Sequence, residues 1–357
     1  MEPIASTAYT ISFENEVYPL LNAYLKETKP SRVVVLVDSN TQTHCLPLLL
    51  NAFEAAIEPD VICVEAGEEH KTLSTCMAVW EKLSALQIDR KALLINLGGG
   101  VVCDLGGFVA STYLRGIPFV HIPTSLLAMV DASVGSKTGV DFNFLKNQIG
   151  VFAFPKAVII DVDYLKTLPK PHFNAGLAEM WKHGLIASES YWKQLCNLPT
   201  STIDVVAQAI HTSVAIKNEV VANDPYEQLN RKILNFGHTL GHAVESYFLS
   251  HKTKQTLLHG EADALGMLLE GYLSHLEYNF PKAVLHQLYQ LYTDHFNRYV
   301  FDANEIDDIL KLLVYDKKND KGRVNFVLLK EIGQPVIDCS VSETQLREAF
   351  TFFNTLC

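Results

Sequence analysis

Short apolar runs recur through the first part of the chain, each bounded by glycine, proline or aspartate. "RVVVLVD" (32–38), "DVICVE" (60–65), "KALLINLGG" (91–99), "FVHIP" (119–123) and "AVIID" (157–161) are continuous rather than alternating, which predicts strands buried on both faces. Between them lie stretches such as "STCMAVWEKLSALQ" (74–87), with apolar positions at helical spacing. Strands alternating with helices predict a largely parallel sheet covered on both sides, whose ligands sit at the carboxyl ends of the strands. Beyond residue 163 the pattern changes. Residues 172–314 read as helices, among them "FNAGLAEMWKHGLIA", "IDVVAQAIHTSVAIKNEVVA", "RKILNFGHTLGHAVESYFL" and "GEADALGMLLEGYLSHLE". "GRVNFVLL" (322–329) is the one late strand candidate. The expectation is an α/β nucleotide-type domain over residues 1–163, then an α-helical domain over 164–357, with a cleft between them.

Composition narrows the partners. The chain has 357 residues and a formal net charge of −11, which argues against a nucleic-acid backbone or an anionic membrane as main partner. A small anionic substrate needs only a few well-placed Lys and Arg and stays open. Seven cysteines, an odd number without a C-x-x-C pair, fit a reduced, cytoplasmic setting. The opening "MEPIASTAYTISFENE" carries acidic residues and no apolar centre, so no signal peptide is expected. No run approaches the ~20 apolar residues of a membrane span.

Several segments carry candidate chemistry. "LGGGVVCDLGGFVAS" (97–111) follows a strand and opens onto a helical pattern. Its glycines permit close approach to a ligand, and helix amides downstream can meet a diphosphate, though a plain tight connection reads the same way. Asp38 in "VDSN" and Glu68 and Lys71 in "AGEEHKT" end neighbouring strands on the same predicted edge. Arg115, Asp131 and Lys137, with Lys146 and Asn147 in "LKNQIG", form a second set; Lys137 is expected in a Gly/Ser loop suited to a phosphate. Metal candidates are Glu179, His259, and the pair His238 and His242 in "NFGHTLGHAVES". Four residues apart, the two imidazoles leave one helix face at adjacent turns, but Thr239 stands where H-E-x-x-H has its glutamate. One glutamate and two histidines could form a His₂Glu centre. Spacing does not choose between His238 and His242.

The words "GGGVVCDLGGFVASTYLRG", "PTSLLAMVDASVGSKTGV", "KNQIG", "AEMWKHGLI", "LNFGHTLGHA", "LLHGEADALGM" and "DKKNDKG", in this order, resemble the 3-dehydroquinate synthases of the sugar phosphate cyclase superfamily over nearly the full length. The resemblance implies a Rossmann-like NAD-binding α/β domain, an α-helical metal-binding domain and a homodimer. Its metal ligands map to Glu179, His238 and His259, with Zn²⁺ or Co²⁺ as the ion, and His242 becomes a substrate-contacting residue beside the leaving phosphate. NAD-side positions are Asp38, Asn40, Glu68, Lys71, Gly99, Gly100, Val101, Asp104, Thr124, Ser125, Lys137, Lys146 and Thr167. Substrate positions are Asp131, Lys137, Asn147, Lys182, Lys217, Arg231, Asn235 and one or both of Lys317 and Lys318, with Arg115 reaching across from the neighbouring subunit. The implied reaction converts 3-deoxy-D-arabino-heptulosonate 7-phosphate to 3-dehydroquinate and phosphate by transient NAD oxidation, phosphate elimination, reduction, ring opening and aldol closure. Ser136, Leu145, Cys103, Pro225, Leu229 and Asp263 depart from the family pattern. They keep two alternatives in view: a cyclase for another heptulose 7-phosphate, and an NAD- and metal-dependent polyol or glycerol-phosphate dehydrogenase.

Overall fold

The computed structural model describes residues 1–13, 17–54, 57–143, 145–251, 256–313 and 324–356. They form two compact units: Met1–Pro169 with Lys217–Tyr226, and Lys170–Ile216 with Glu227–Cys357. The helix Ile203–Asn223 contributes to both.

In the first unit, β1 (Ile4–Ala5), β2 (Thr10–Phe13), β3 (Val33–Asp38), β4 (Asp60–Val64), β5 (Leu93–Gly98), β6 (Phe119–Pro123), β7 (Lys137–Phe142), β8 (Leu145–Phe152) and β9 (Ala157–Ile160) follow one another along the chain. Seven of them make a sheet of order β1-β2-β9-β6-β5-β3-β4, parallel except for the β1–β2 pair. The five strands expected from continuous apolar runs are its β3, β4, β5, β6 and β9. β5 and β6 are buried at every residue, which explains why their sequences do not alternate. From β3 the chain crosses to β4 on one side, whereas β5, β6 and β9 build outward on the other. The order therefore reverses between β3 and β5, where Asp38 and Gly98 end the two strands. Ligands of open parallel sheets bind outside such a reversal point.

Lys137 is not in a loop. It starts β7, which pairs antiparallel with β8, Gly139 opposite Gly150. A Cβ on Gly150 would stand 2.2 Å from the Thr138 carbonyl oxygen, so the two strands approach at a distance only glycine permits. Small residues chosen for this contact give a hairpin without apolar alternation, and the segment reads as a loop.

The second unit is built on the helices Lys170–Ala187, His238–Ser250 and His259–Tyr278, with a two-stranded sheet of Phe326–Leu329 and Pro335–Cys339. The late strand candidate is the first of that pair. The helix expected through residues 231–249 is broken. Asn230–Asn235 forms a 3₁₀ turn, Gly237 adopts φ +85°, and the α-helix begins at His238. Asn235 thus lies outside the helix and shares no helical stripe with His238. No helix among the described residues is long and apolar enough to cross a membrane.

The helices beginning at His238 and His259 meet through glycine. A Cβ on Gly266 would lie 1.9 Å from the Gly237 carbonyl oxygen and 2.6 Å from the Gly241 nitrogen. Both are backbone atoms and cannot swing aside. On the same helix, a Cβ on Gly271 would meet only Leu285 Cδ2, at 2.6 Å. Gly266→Ala is therefore expected to destabilise by about 3 kcal/mol or more, the upper end for overpacking, and Gly271→Ala by clearly less. Urea unfolding of the two variants checks the difference.

Candidate active site

Position in the second unit is set by a carboxylate from a neighbouring helix. The first amides of an α-helix have no partner within it. At the His238 helix these amides are buried, and Glu270 supplies the acceptors: Gly237 N donates to Oε2 at 2.7 Å and Leu240 N to Oε1 at 3.0 Å. Glu270 is completely buried, and its charge faces the positive end of the helix dipole. The clamp fixes where the helix starts, and with it His238 in the first turn and His242 in the second.

The imidazoles of His238, His242 and His259 gather there. Ring centroids are 5.2 Å apart for His238–His242, 5.4 Å for His242–His259 and 5.7 Å for His238–His259. Glu179, on the helix Lys170–Ala187, is buried with Lys182 one turn on, and the two are ion-paired. Glu179 Oε1 lies 3.7 Å from His238 Nε2, and Lys182 Nζ lies 3.5 Å from the same nitrogen. A buried carboxylate beside a histidine nitrogen suits a cation, and Glu179 flanks His238 in this way, while the donor atoms that all lie within 4.8 Å of one another are those of His238, His242, His259 and Asp263. Gly260 permits this by contact: a Cβ there would sit 2.0 Å from the Ala175 carbonyl oxygen on the Glu179 helix.

Two acidic residues join this group that the sequence motifs did not place in it. Glu245 Oε2 is 3.3 Å from His259 Nδ1. Asp263, one turn after His259, offers a ligand atom within 4.8 Å of those of His238, His242 and His259. Burial pushes its carboxyl up to about 8, with His259 opposing and Glu179 reinforcing the shift. The signal for Asp263 was its i, i+4 spacing from His259 in an otherwise apolar helix face. Nothing in the sequence marks Glu270, which sits in the run "LLEGYL". Of the remaining candidates, Arg231 is buried and Asn235 Nδ2 donates to Glu227 Oε1 at 3.3 Å. Lys317 and Lys318 lie outside the described residues.

In the first unit the glycine run is a strand-to-helix turn. Gly99 is the N-cap of the helix Gly100–Thr112, and no side chain among the described residues caps its amides. A helix start of this kind, at the end of a strand beside the reversal point, suits a diphosphate. Val101 follows in the first turn, and the nearest atom to a Cβ on Gly99 would be Ser125 Oγ, at 3.3 Å. Asp38 caps the short helix Ser39–His44 that follows β3, Oδ1 accepting from Thr41 N at 2.8 Å, which holds its carboxylate at the end of the strand. Asn40 is exposed in the first turn of that helix. Thr124 and Thr167 meet at Cys45, whose thiol burial pushes up to about 11 against their hydrogen bonds.

Three lysines of this unit meet carboxylates. Lys71 Nζ donates to Asp104 Oδ2 at 2.6 Å and Asn147 Oδ1 at 2.7 Å. Burial opposes its charge, but Asp104 and Glu68 outweigh burial and raise its pKa, so Lys71 is an ammonium. Lys146 Nζ is 3.6 Å from Glu68 Oε1. Lys217 is ion-paired with Asp131 and also donates to the Asp131 carbonyl at 2.6 Å. Lys137 and Arg115 are exposed. Arg115 follows Leu114, and both have left-handed backbone, φ +64° and +50°, a strained turn held at the surface.

The fold, a largely parallel sheet followed by a helical unit, is that of the sugar phosphate cyclases. Solved structures show the likeness. A 2-epi-5-epi-valiolone synthase from Streptomyces hygroscopicus with NAD⁺ and Zn²⁺ bound is 26% identical, with 99% of each chain covered and a TM-score of 0.85. A 2-deoxy-scyllo-inosose synthase complexed with carbaglucose-6-phosphate, NAD⁺ and Co²⁺ is 24% identical over 98% of each chain, with a TM-score of 0.84. Sequence goes further: residues 61–175 match the 3-dehydroquinate synthase N-terminal family and residues 176–319 the 3-dehydroquinate synthase C-terminal family. The chain is 41% identical over 337 residues to the 3-dehydroquinate synthase of Parabacteroides distasonis, covering 93% of this chain and 94% of that one. It is 35% identical over 367 residues to that of Clostridium kluyveri, covering 98% and 96%. The chain belongs to the 3-dehydroquinate synthase family.

Glu270→Gln replaces one of the two acceptors by an amide nitrogen that cannot accept. It is expected to cost about 1–3 kcal/mol of stability, the penalty for a buried donor left unsatisfied. Denaturant unfolding of the metal-free protein measures it.

Proposed function

We propose that the chain is a 3-dehydroquinate synthase, a carbon–oxygen lyase that converts 3-deoxy-D-arabino-heptulosonate 7-phosphate to 3-dehydroquinate and phosphate. The observation that carries this is the group in the second unit: three imidazoles within 5.7 Å of one another beside the buried Glu179–Lys182 pair. It is read together with family membership. NAD, when bound, supplies a reversible hydride acceptor, and a Zn²⁺ or Co²⁺ ion supplies polarisation of the substrate's hydroxyl oxygens.

The first unit holds NAD, with Asp38 toward the ribose, the Gly99–Gly100–Val101 turn toward the diphosphate, and Asn40, Glu68, Lys71, Asp104, Thr124, Ser125, Lys137, Lys146 and Thr167 around it. Glu179, His238 and His259 hold the metal. The substrate carries a carboxylate and a phosphate, and the chain has cations suited to both. Arg231 and Asn235 take the carboxylate, a bidentate task suited to a guanidinium. Lys182, Lys217, Asn147 and Asp131 orient the ring, with Lys317 and Lys318 completing the set. His242 sits one turn from His238 and serves the phosphate end, where it moves a proton as the C–O bond breaks. Its place in the group, rather than on a loop, keeps it oriented during that step.

Arg115 completes the phosphate site of a partner copy in a homodimer. Its exposure on a strained turn supports this role, since such strain persists where function requires it. Six cysteines without disulfides among the described residues support a cytoplasmic setting.

Purified, metal-loaded protein given the heptulosonate phosphate and catalytic NAD is expected to release phosphate and form dehydroquinate in equal amounts. Net NADH accumulation would instead indicate a dehydrogenase, and turnover of sedoheptulose 7-phosphate with rejection of the heptulosonate would indicate another cyclase. His242→Ala is expected to keep zinc and lose at least ~100-fold in kcat, the scale of a general acid–base contribution, whereas His259→Ala loses zinc. Equal zinc loss in both, by elemental analysis, would overturn that division of labour. Mixing Arg115→Ala with His242→Ala protein is expected to restore part of the activity, because a hybrid dimer holds one intact site; two inert pools that stay inert when mixed would exclude a shared site.

A further inference from the structure

The structure places Asp263 against the histidines, its ligand atom within 4.8 Å of those of His238, His242 and His259. It is fully buried, and neither carboxylate oxygen accepts a hydrogen bond among the described residues. An ionised carboxylate without donors in the interior is strongly unfavourable unless a cation faces it. The histidines stand closest to it, Oδ2 lying 3.2 Å from His259 Nε2 and Oδ1 3.6 Å from His238 Nδ1, and the Lys182 ammonium also acts on it.

The two nitrogens of His259 have different neighbours. Nδ1 faces Glu245 at 3.3 Å, the arrangement in which an outer carboxylate fixes the ring of a metal-ligating histidine. Nε2 is then the ligating nitrogen, and Asp263 Oδ2 is on its side. Two donors that share a metal at ~2.0–2.2 Å stand roughly 3.0–3.6 Å apart, and 3.2 Å falls in that interval. The approach depends on glycine as well. A Cβ on Gly241 would lie 2.8 Å from Asp263 Oδ1, so the absent side chain leaves the carboxylate its place.

We propose that Asp263 is a further protein ligand of the metal, adding a second carboxylate to Glu179, His238 and His259. The assignment rests on the metal site proposed above. With two carboxylates the centre of a divalent ion is neutral rather than positive by one. The consequences are tighter metal retention and a shift toward ions that prefer oxygen donors.

The test compares full-length wild type with Asp263→Asn, Asp263→Val, His238→Ala and His259→Ala. Zn²⁺ affinity is read by competition with a chromophoric chelator, and thermal unfolding is followed with and without metal. In Asp263→Asn and Asp263→Val the zinc dissociation constant is expected to rise by roughly tenfold or more. The metal-free variants are expected to unfold at higher temperature than metal-free wild type, since a buried carboxyl whose oxygens accept no hydrogen bond is gone, and zinc should raise their Tm less. A residue with only a packing role would lower the metal-free Tm. As a direct probe of ligation, Co²⁺-loaded Asp263→Cys is expected to gain a near-ultraviolet sulfur-to-cobalt charge-transfer band; the longer metal–sulfur bond makes up for the shorter side chain. An unchanged zinc affinity in the Asn and Val variants, or no such band with cobalt bound, overturns the assignment while the His238→Ala and His259→Ala losses leave the underlying site intact. Full zinc retention in both histidine variants overturns the site itself.

Discussion

The second unit depends on one buried carboxylate. Glu270 accepts from two amides at the start of the His238 helix, and no other position along that helix could do this, because only its first turn presents unpaired donors. The clamp works because the two helices touch backbone to backbone at Gly237, Gly241 and Gly266. Any side chain at Gly266 would push the helices apart and lengthen both hydrogen bonds. Helix start, glycine contact and buried charge therefore stand or fall together. The spacing of His238 and His242 has chemical meaning only on that foundation.

A second regularity is that three of the candidate lysines are already paired. Lys71 with Asp104, Lys182 with Glu179 and Lys217 with Asp131 are each held by a carboxylate. Burying a lone ammonium is costly, and a preformed partner removes most of that cost before any ligand arrives. It also keeps each Nζ in place, so an incoming anion meets an oriented donor rather than a mobile chain. The chain's overall acidity is compatible with an anionic substrate for this reason. The charges that matter are local, not net.

The sheet was legible because its strands are buried on both faces, and short, continuous β-branched runs between turn residues suit little besides such a strand. β3, β4, β5, β6 and β9 all came from that signal. What escaped was set by contacts rather than by pattern. The β7–β8 hairpin rests on Gly139 facing Gly150, and small residues leave no alternation to read. The break before His238 rests on Gly237, whose left-handed backbone is indistinguishable in sequence from an ordinary helical glycine. The candidate metal residues were readable from their types and family words, and Asp263 left a trace in its spacing from His259, yet Glu245 and Glu270 were not. Their significance lies in which helix faces which, and a linear pattern does not carry that. Lys217 was expected in the helical domain, but residues 217–226 belong with the sheet.

That last placement bears on how the protein is made. Lys217 pairs with Asp131, and Asn218 donates to the Ala5 carbonyl at 3.1 Å, so the first unit is finished by a segment that follows Ile216. On the ribosome the nascent sheet must wait for the intervening stretch Lys170–Ile216 to emerge, a delay of roughly a few seconds at ordinary elongation rates. A gene cut after Pro169 would yield a sheet lacking its closing piece, with Asp131 deprived of its lysine. The two units are thus interleaved products of a single translation, and shuffling one of them as an independent cassette would break both.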